Sequence, residues 1–161
     1  MASPATDIYL HPGDVRFAGA GVRLRTLLGS CVAITLWHPR LRVGGMCHFV
    51  VPARSQRQPG GELSGRYADE AVELLLREVR GRGTEISQYE AKMFGGGAQF
   101  PHSGGVPQGN VAAGLRLLEE QGLHPAARHL GSTGSRLLIF DIATGEVWLQ
   151  HQALRHLEDS A

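Results

Sequence analysis

The sequence predicts a single α/β (α+β) domain of largely antiparallel strands with two main helices. Three observations predict it. Two long runs of β-branched and apolar residues, 26–37 and 42–51, follow one another across the short link His38-Pro39-Arg40-Leu41. Two segments, about 67–80 and 110–121, repeat apolar residues at helical spacing instead. A third pair of runs, 136–142 and 146–152, alternates around Ala143-Thr144-Gly145 as a hairpin does. Strands and helices that do not alternate strictly favour α+β over a parallel sheet. No repeat or linker divides the 161 residues, so residues 1–161 read as one domain.

The elements follow in order. Residues 1–7 and 153–161 are polar enough to read as flexible tails. Ile8–Leu10 is a short strand closed by His11-Pro12-Gly13, and residues 14–25 give a weak strand signal around Gly19 and Gly21. Next come the two strong runs. The polar segment 53–65, with Pro59, Gly60 and Gly61, is a loop. In the first helix Ala68, Val72, Leu75, Leu76 and Val79 share one face, and Gly81 and Gly83 end it. Residues 84–94 read as a strand broken by Gly95-Gly96-Gly97, and 98–109 as a second loop. Asn110 fits the N-cap of the second helix. Residues 126–133 complete the strand set before the final hairpin.

Composition narrows the function. With 16 basic against 15 acidic residues, bulk electrostatics does not suit a nucleic-acid binder. Two cysteines make no disulfide framework. The first seven residues lack the basic and apolar regions of a secretory leader, and no apolar run approaches membrane-spanning length. The expectation is a cytoplasmic protein with reduced thiols.

Chemistry concentrates in the two strong runs. If they form a hairpin turning between Pro39 and Arg40, Cys31 stands directly opposite His48. Their Cβ atoms would then lie roughly 4.5–5.5 Å apart. The other face would carry Val32, Ile34, Leu36, Val43, Cys47, Phe49 and Val51, a wholly apolar set suited to a core. Free cysteine has a pKa of about 8.5 and attacks as the thiolate, so a neighbouring imidazole that accepts its proton makes acyl chemistry possible. A third group orients the imidazole, and Thr26 is the nearest upstream hydroxyl. The Gly29-Ser30 turn is compact enough for backbone N–H groups to reach an oxyanion. The plainer alternative is that both residues are structural.

A metal site from Cys31, Cys47 and His48 is disfavoured. Cys47 and His48 alternate across one strand, and a closed zinc site wants four ligands. Gly95-Gly96-Gly97 lacks the Gly-Lys-Ser/Thr ending of a phosphate loop and reads as a turn.

Leu28-Gly-Ser-Cys-Val-Ala-Ile34, followed by Gly44-Gly-Met-Cys-His-Phe-Val-Val-Pro52, resembles the chemoreceptor glutamine deamidase family, CheD. The resemblance continues through Arg66-Tyr-Ala-Asp-Glu-Ala71 and Ala91-Lys-Met-Phe-Gly-Gly-Gly97, with weaker echoes to Arg136. It implies a cytoplasmic enzyme of bacterial chemotaxis that hydrolyses glutamine side chains of receptor signalling helices to glutamate and ammonia. It implies a sandwich fold similar to the cytotoxic necrotizing factor deamidases, and a Cys–His–Thr site without metal or organic cofactor. Carried over, Cys31 is the nucleophile and His48 the general base and acid. Some family members place the hydroxyl one position upstream, where this chain has Arg25, so Thr26 or a main-chain carbonyl takes the third role. Implied partners are the cytoplasmic helices of chemoreceptors and the phosphatase CheC. An adaptor that binds them with little catalysis is the competing class.

Overall fold

A computed structural model describes residues 4–56, 60–100 and 104–154 of the chain. Its elements run β1 (Thr6–Leu10), β2 (Val15–Gly19), β3 (Val22–Leu28), β4 (Val32–His38), β5 (Val43–Phe49), α1 (Ala68–Gly81), β6 (Glu90–Gly95), α2 (Val106–Glu120), β7 (Ala127–Leu130), β8 (Ser135–Asp141) and β9 (Val147–Gln152). The class is α+β with two helices, and both sheets are mixed. One is ordered β1-β3-β8-β9 and the other β2-β5-β4-β6-β7. The β1/β3 and β6/β7 pairs are parallel, and the remaining pairs are antiparallel.

Three layers result. Val32, Ile34 and Leu36 of β4, with Cys47 and Phe49 of β5, pack under α1 and α2. Between them on the same strands, Ala33 and Met46 turn the other way and meet Leu24, Leu28, Leu138 and Phe140 of the facing sheet. The five-stranded sheet is therefore covered on both sides, which is why β4 is apolar almost throughout. Each fully buried Leu, Ile or Phe contributes roughly 1.5–3 kcal/mol, so these two interiors dominate the fold's stability. The expected core face of the hairpin is present, with Val43 at its margin. Val51 lies beyond the strand, bridging to Tyr67.

The structure departs from expectation in several places. The run 26–37 is not one strand. It breaks at Gly29–Cys31, and its halves enter different sheets, Thr26 in β3 and Val32 onward in β4. The weakly signalled segment 14–25 holds β2 and the start of β3. Thr6 and Asp7, expected in the tail, pair with Val22 and Arg23. The rest of the expected tails, residues 1–3 and 155–161, lies outside the described residues.

Asn110 is not an N-cap, because α2 begins four residues earlier, at Val106. Pro107 sits in the first turn, where its missing N–H costs the helix nothing. A Pro that suggested a loop is thus a helix start. The expected strand 84–94 opens instead with a single 3-10 turn, Ile86–Gln88. Among the described residues no helix is long and apolar enough to cross a membrane.

Candidate active site

The β4–β5 register differs from the expected one by two residues. His48 faces Ala33, and Cys47 faces Ile34. The turn is longer than supposed: His38 pairs with Val43, leaving Pro39–Arg42 as a four-residue loop. Three interactions build it. The Arg42 N–H donates to the His38 carbonyl at 2.9 Å. The Leu41 N–H donates to His38 Nδ1 at 3.1 Å. Arg42 takes the left-handed conformation at φ 52.

A slip of one residue would have exchanged the faces; a slip of two preserves them. Cys31 therefore keeps the side of the hairpin it shares with His48, but as the diagonal neighbour beyond Ala33 rather than the facing residue. Diagonal pairs stand roughly 7–8 Å apart at the backbone, a span that long side chains bridge. Cys31 packs at the edge of the layer between the sheets, half-buried beside the cluster of Leu28, Ala33 and Phe94.

His48 is buried in that same layer, 1% exposed. Its backbone is held from the 13–14 segment, where Gly13 N–H donates to its carbonyl and its own N–H donates to Asp14. Its ring meets the opposite sheet. Thr26 Oγ1 lies 2.6 Å from His48 Nδ1 and donates its proton to the Leu10 carbonyl at 2.9 Å. A hydroxyl has one hydrogen, and a carbonyl can only accept. With that hydrogen committed to Leu10, Nδ1 must be the donor to Oγ1. The imidazole is thereby held as the Nδ1–H tautomer, with the lone pair on Nε2. Of the two expected third groups, it is the Thr26 hydroxyl that meets the imidazole. The alternative of a main-chain carbonyl survives only as Leu10, one step behind the hydroxyl.

Electrostatics keeps the two groups neutral at rest. Burial pulls the His48 pKa from 6.5 down to about 4, against the nearby Asp14 carboxylate, which raises it, and with His11, which lowers it further. Burial pushes the Cys31 thiol above its ordinary value, opposed by the Arg66 guanidinium and the Ser30 hydroxyl. Both shifts favour the neutral forms, a thiol and a free imidazole, over thiolate and imidazolium. Cys47 is different in kind: fully buried among the residues under the helices, with its pKa pushed up to about 12. It and His48 point to opposite faces of β5, so they share no ligand position.

Sequence reasoning missed what stands behind Cys31. The Gly96 N–H donates to the Cys31 carbonyl at 2.9 Å and the Gly97 N–H to the Gly29 carbonyl at 3.0 Å. Gly95 and Gly96 take φ 115 and φ 70, and a side chain at Gly95 would collide with the Cys31 carbonyl. The glycine run is a seat for the Gly29–Cys31 turn. From α2, the buried Asn110 reaches the same turn, with Nδ2 donating to Ser30 O at 3.1 Å and to Val50 O at 2.8 Å. The only sequence signals were the glycines themselves and an Asn placed where a buried amide must find partners.

Residues 50–151 match the family model described as CheD chemotactic sensory transduction. A protein of Pseudomonas savastanoi pv. phaseolicola named "Probable chemoreceptor glutamine deamidase CheD" is 50% identical, over 96% of this chain and 90% of its own length. One of the same name from Pseudomonas fluorescens is 48% identical, over 97% of this chain and 90% of its own. Another, from Maridesulfovibrio salexigens, is 35% identical over 89% and 90%. These relatives extend the similarity across residues that the family match leaves out.

Proposed function

The chain belongs to the CheD family, and on that premise we propose that it is a cysteine-dependent protein-glutamine deamidase acting on chemoreceptors. Its substrate is the side-chain amide of particular glutamines on the receptors' cytoplasmic helices, and its products are glutamate and ammonia. It works in the cytoplasm as one domain, with a fold of the cytotoxic necrotizing factor type and without a cofactor. CheC is a further partner in this reading.

The observation that carries the reading is the Thr26–His48 hydrogen bond. It leaves Nε2 of a neutral imidazole as a base, in the same intersheet layer as the half-buried thiol. In the proposed sequence, the Cys31 proton passes to His48 Nε2 as sulfur bonds to the carboxamide carbon. The carbonyl electron pair moves onto oxygen, where the Ser30 and Cys31 N–H groups receive it. When the oxyanion collapses, the C–N bond breaks and the nitrogen leaves as ammonia with the proton held by His48. The thioester is then attacked by water, whose proton His48 takes. Cleavage of the C–S bond frees glutamate, and the thiol regains its proton. Thr26 accepts from Nδ1–H throughout and stabilises the imidazolium that forms in each half.

The depressed histidine pKa suits this cycle. His48 is unprotonated over the working range, and it is a proton donor only once it has taken the thiol's proton. The test is mass spectrometry of a chemoreceptor cytoplasmic fragment incubated with wild-type and Cys31→Ala protein. The expected result is amide-to-acid conversion at discrete glutamines with wild type and none with the variant. Conversion by a folded Cys31→Ala protein at the wild-type rate would overturn the assignment. No conversion by either would favour the adaptor.

A further inference from the structure

We propose that Asn110 is a positioning residue of this reaction, aiming the Cys31 N–H at the developing oxyanion; this deepens the deamidase reading and rests on it. Asn110 is fully buried inside α2, and its amide ties the chain just before Cys31 to the chain just after His48, through the Ser30 and Val50 carbonyls. Because both partners are carbonyls, the amide can be oriented in only one way, with Nδ2 toward them. Its Oδ1 is then buried with no partner among the described residues. Unsatisfied buried acceptors are rare and costly. An apolar side chain would remove the cost, but it would also release both carbonyls.

The consequence lies in the planarity of the peptide unit. The Ser30 carbonyl and the Cys31 N–H belong to one trans peptide and point in opposite directions. A donor on the Ser30 carbonyl therefore fixes the direction of the Cys31 N–H. The peptide before it is held the same way, since Gly97 N–H donates to the Gly29 carbonyl and so fixes the Ser30 N–H. Among the described residues no group accepts a hydrogen bond from the Ser30 or the Cys31 N–H. The turn thus presents two free donors whose peptide planes are clamped from behind. Clamped donors are what oxyanion stabilisation requires, because they need no reorganisation as charge develops. The Gly97 donor is a backbone group just past the end of β6, so the Cys31 donor is the one that depends on a single side chain.

The experiment compares wild type with Asn110→Ala and Asn110→Ser, the latter able to keep one donor to a carbonyl and available if the alanine variant does not fold. Three readouts are taken: kcat and KM for deamidation of a receptor fragment, the rate of Cys31 alkylation by iodoacetamide, and the amide resonances of Ser30 and Cys31. With the Cys31 donor released, kcat is expected to fall roughly 10- to 100-fold for alanine and less for serine, part of the effect of deleting an oxyanion donor outright. KM and the alkylation rate, which need no oxyanion donor, should stay within about threefold of wild type. The Cys31 amide resonance should shift or broaden while those of distant strands stay in place. A kcat within threefold of wild type in a folded variant would overturn the proposal, as would alkylation falling in step with kcat. If wild type deamidates nothing, the reading above fails, and the amide spectrum still decides: an unmoved Cys31 resonance overturns the role of Asn110.

Discussion

Adjacent residues of β5 face two differently built interiors. On the helix side Cys47 is surrounded by Ile34, Phe49, Leu75 and Met93, a layer whose buried partners are almost wholly apolar. On the other side His48 enters a layer between two sheets that also holds Thr26, Arg136 and the edge of Cys31. Other polar bonds pin that layer together besides Thr26–His48, among them Trp37 Nε1 to the Ile142 carbonyl at 2.8 Å, Lys92 Nζ to the Gly145 carbonyl at 3.0 Å, and Arg136 Nε to His129 Nδ1 at 2.8 Å. A helix against a sheet can be sealed by shape alone. Two sheets meeting face to face leave room for directed hydrogen bonds, and this chain places Thr26, His48 and Arg136 there. The difference divides one strand into a side that serves stability and a side that carries the proposed chemistry.

That separation can be broken experimentally, beginning where the effect is largest. His48→Ala should lower kcat on the order of 10²- to 10⁴-fold, the usual worth of a positioned acid–base group, in a steady-state ammonia-release assay. A smaller loss than tenfold would mean that the intersheet layer is structural too. Thr26→Val comes next. It keeps the side chain's shape but leaves Nδ1–H with no acceptor, so kcat should fall roughly tenfold or more as the tautomer is freed, with Thr26→Ser recovering most of it. Equal loss in both variants would point to packing rather than to the hydroxyl.

The acid dependence of stability is a subtler measure. His48 in the folded chain takes a proton only near pH 4, whereas its ordinary value is 6.5. On acidification the unfolded chain binds that proton first. Stability is therefore fully present above pH 6.5 and is lost as pH falls toward 4, by roughly 3 kcal/mol. Urea unfolding at pH 7.5 and pH 4.5 should show this loss in wild type and a shallower one in His48→Ala. The smallest effect belongs to Cys47→Ala: a cost of roughly 1 kcal/mol and a Tm lower by a few degrees, with kcat unchanged. A marked loss of kcat there would erase the distinction between the two faces.

Much of this was legible from residue types. Side chains alternate with a period of two, so the apolar set Val32, Ile34, Leu36, Cys47 and Phe49 identified the core face. That face survived a register error because the error was an even number. The register itself was hidden in the turn, since nothing in Pro39-Arg40-Leu41-Arg42 announces that His38 will accept a hydrogen bond from Leu41. Thr26 was legible as a nearby hydroxyl but not as a residue of the other sheet. Its strand looked continuous with β4 because Gly29-Ser30 is a weak signal beside the eight apolar residues of the run 26–37. Asn110 was hidden for a different reason. Helix starts are read from caps, and α2 starts at Gly105 with no side-chain cap and a proline in its first turn. An amide in the helix interior then looked like a cap.

The crossing of the chain between sheets at Gly29–Cys31 has a bearing on when activity can first exist. Thr26 emerges from the ribosome early, but its strand is flanked on one side by β8, where it pairs with Leu138. Cys31 and His48 likewise emerge early on a local hairpin, yet the amide that braces their turn comes from α2. Contacts of such long sequence separation form late in folding. A nascent chain thus carries its cysteine and histidine for a time without the strand and the helix that brace them. The proposed site is completed by a strand and a helix made well after the hairpin that carries Cys31 and His48.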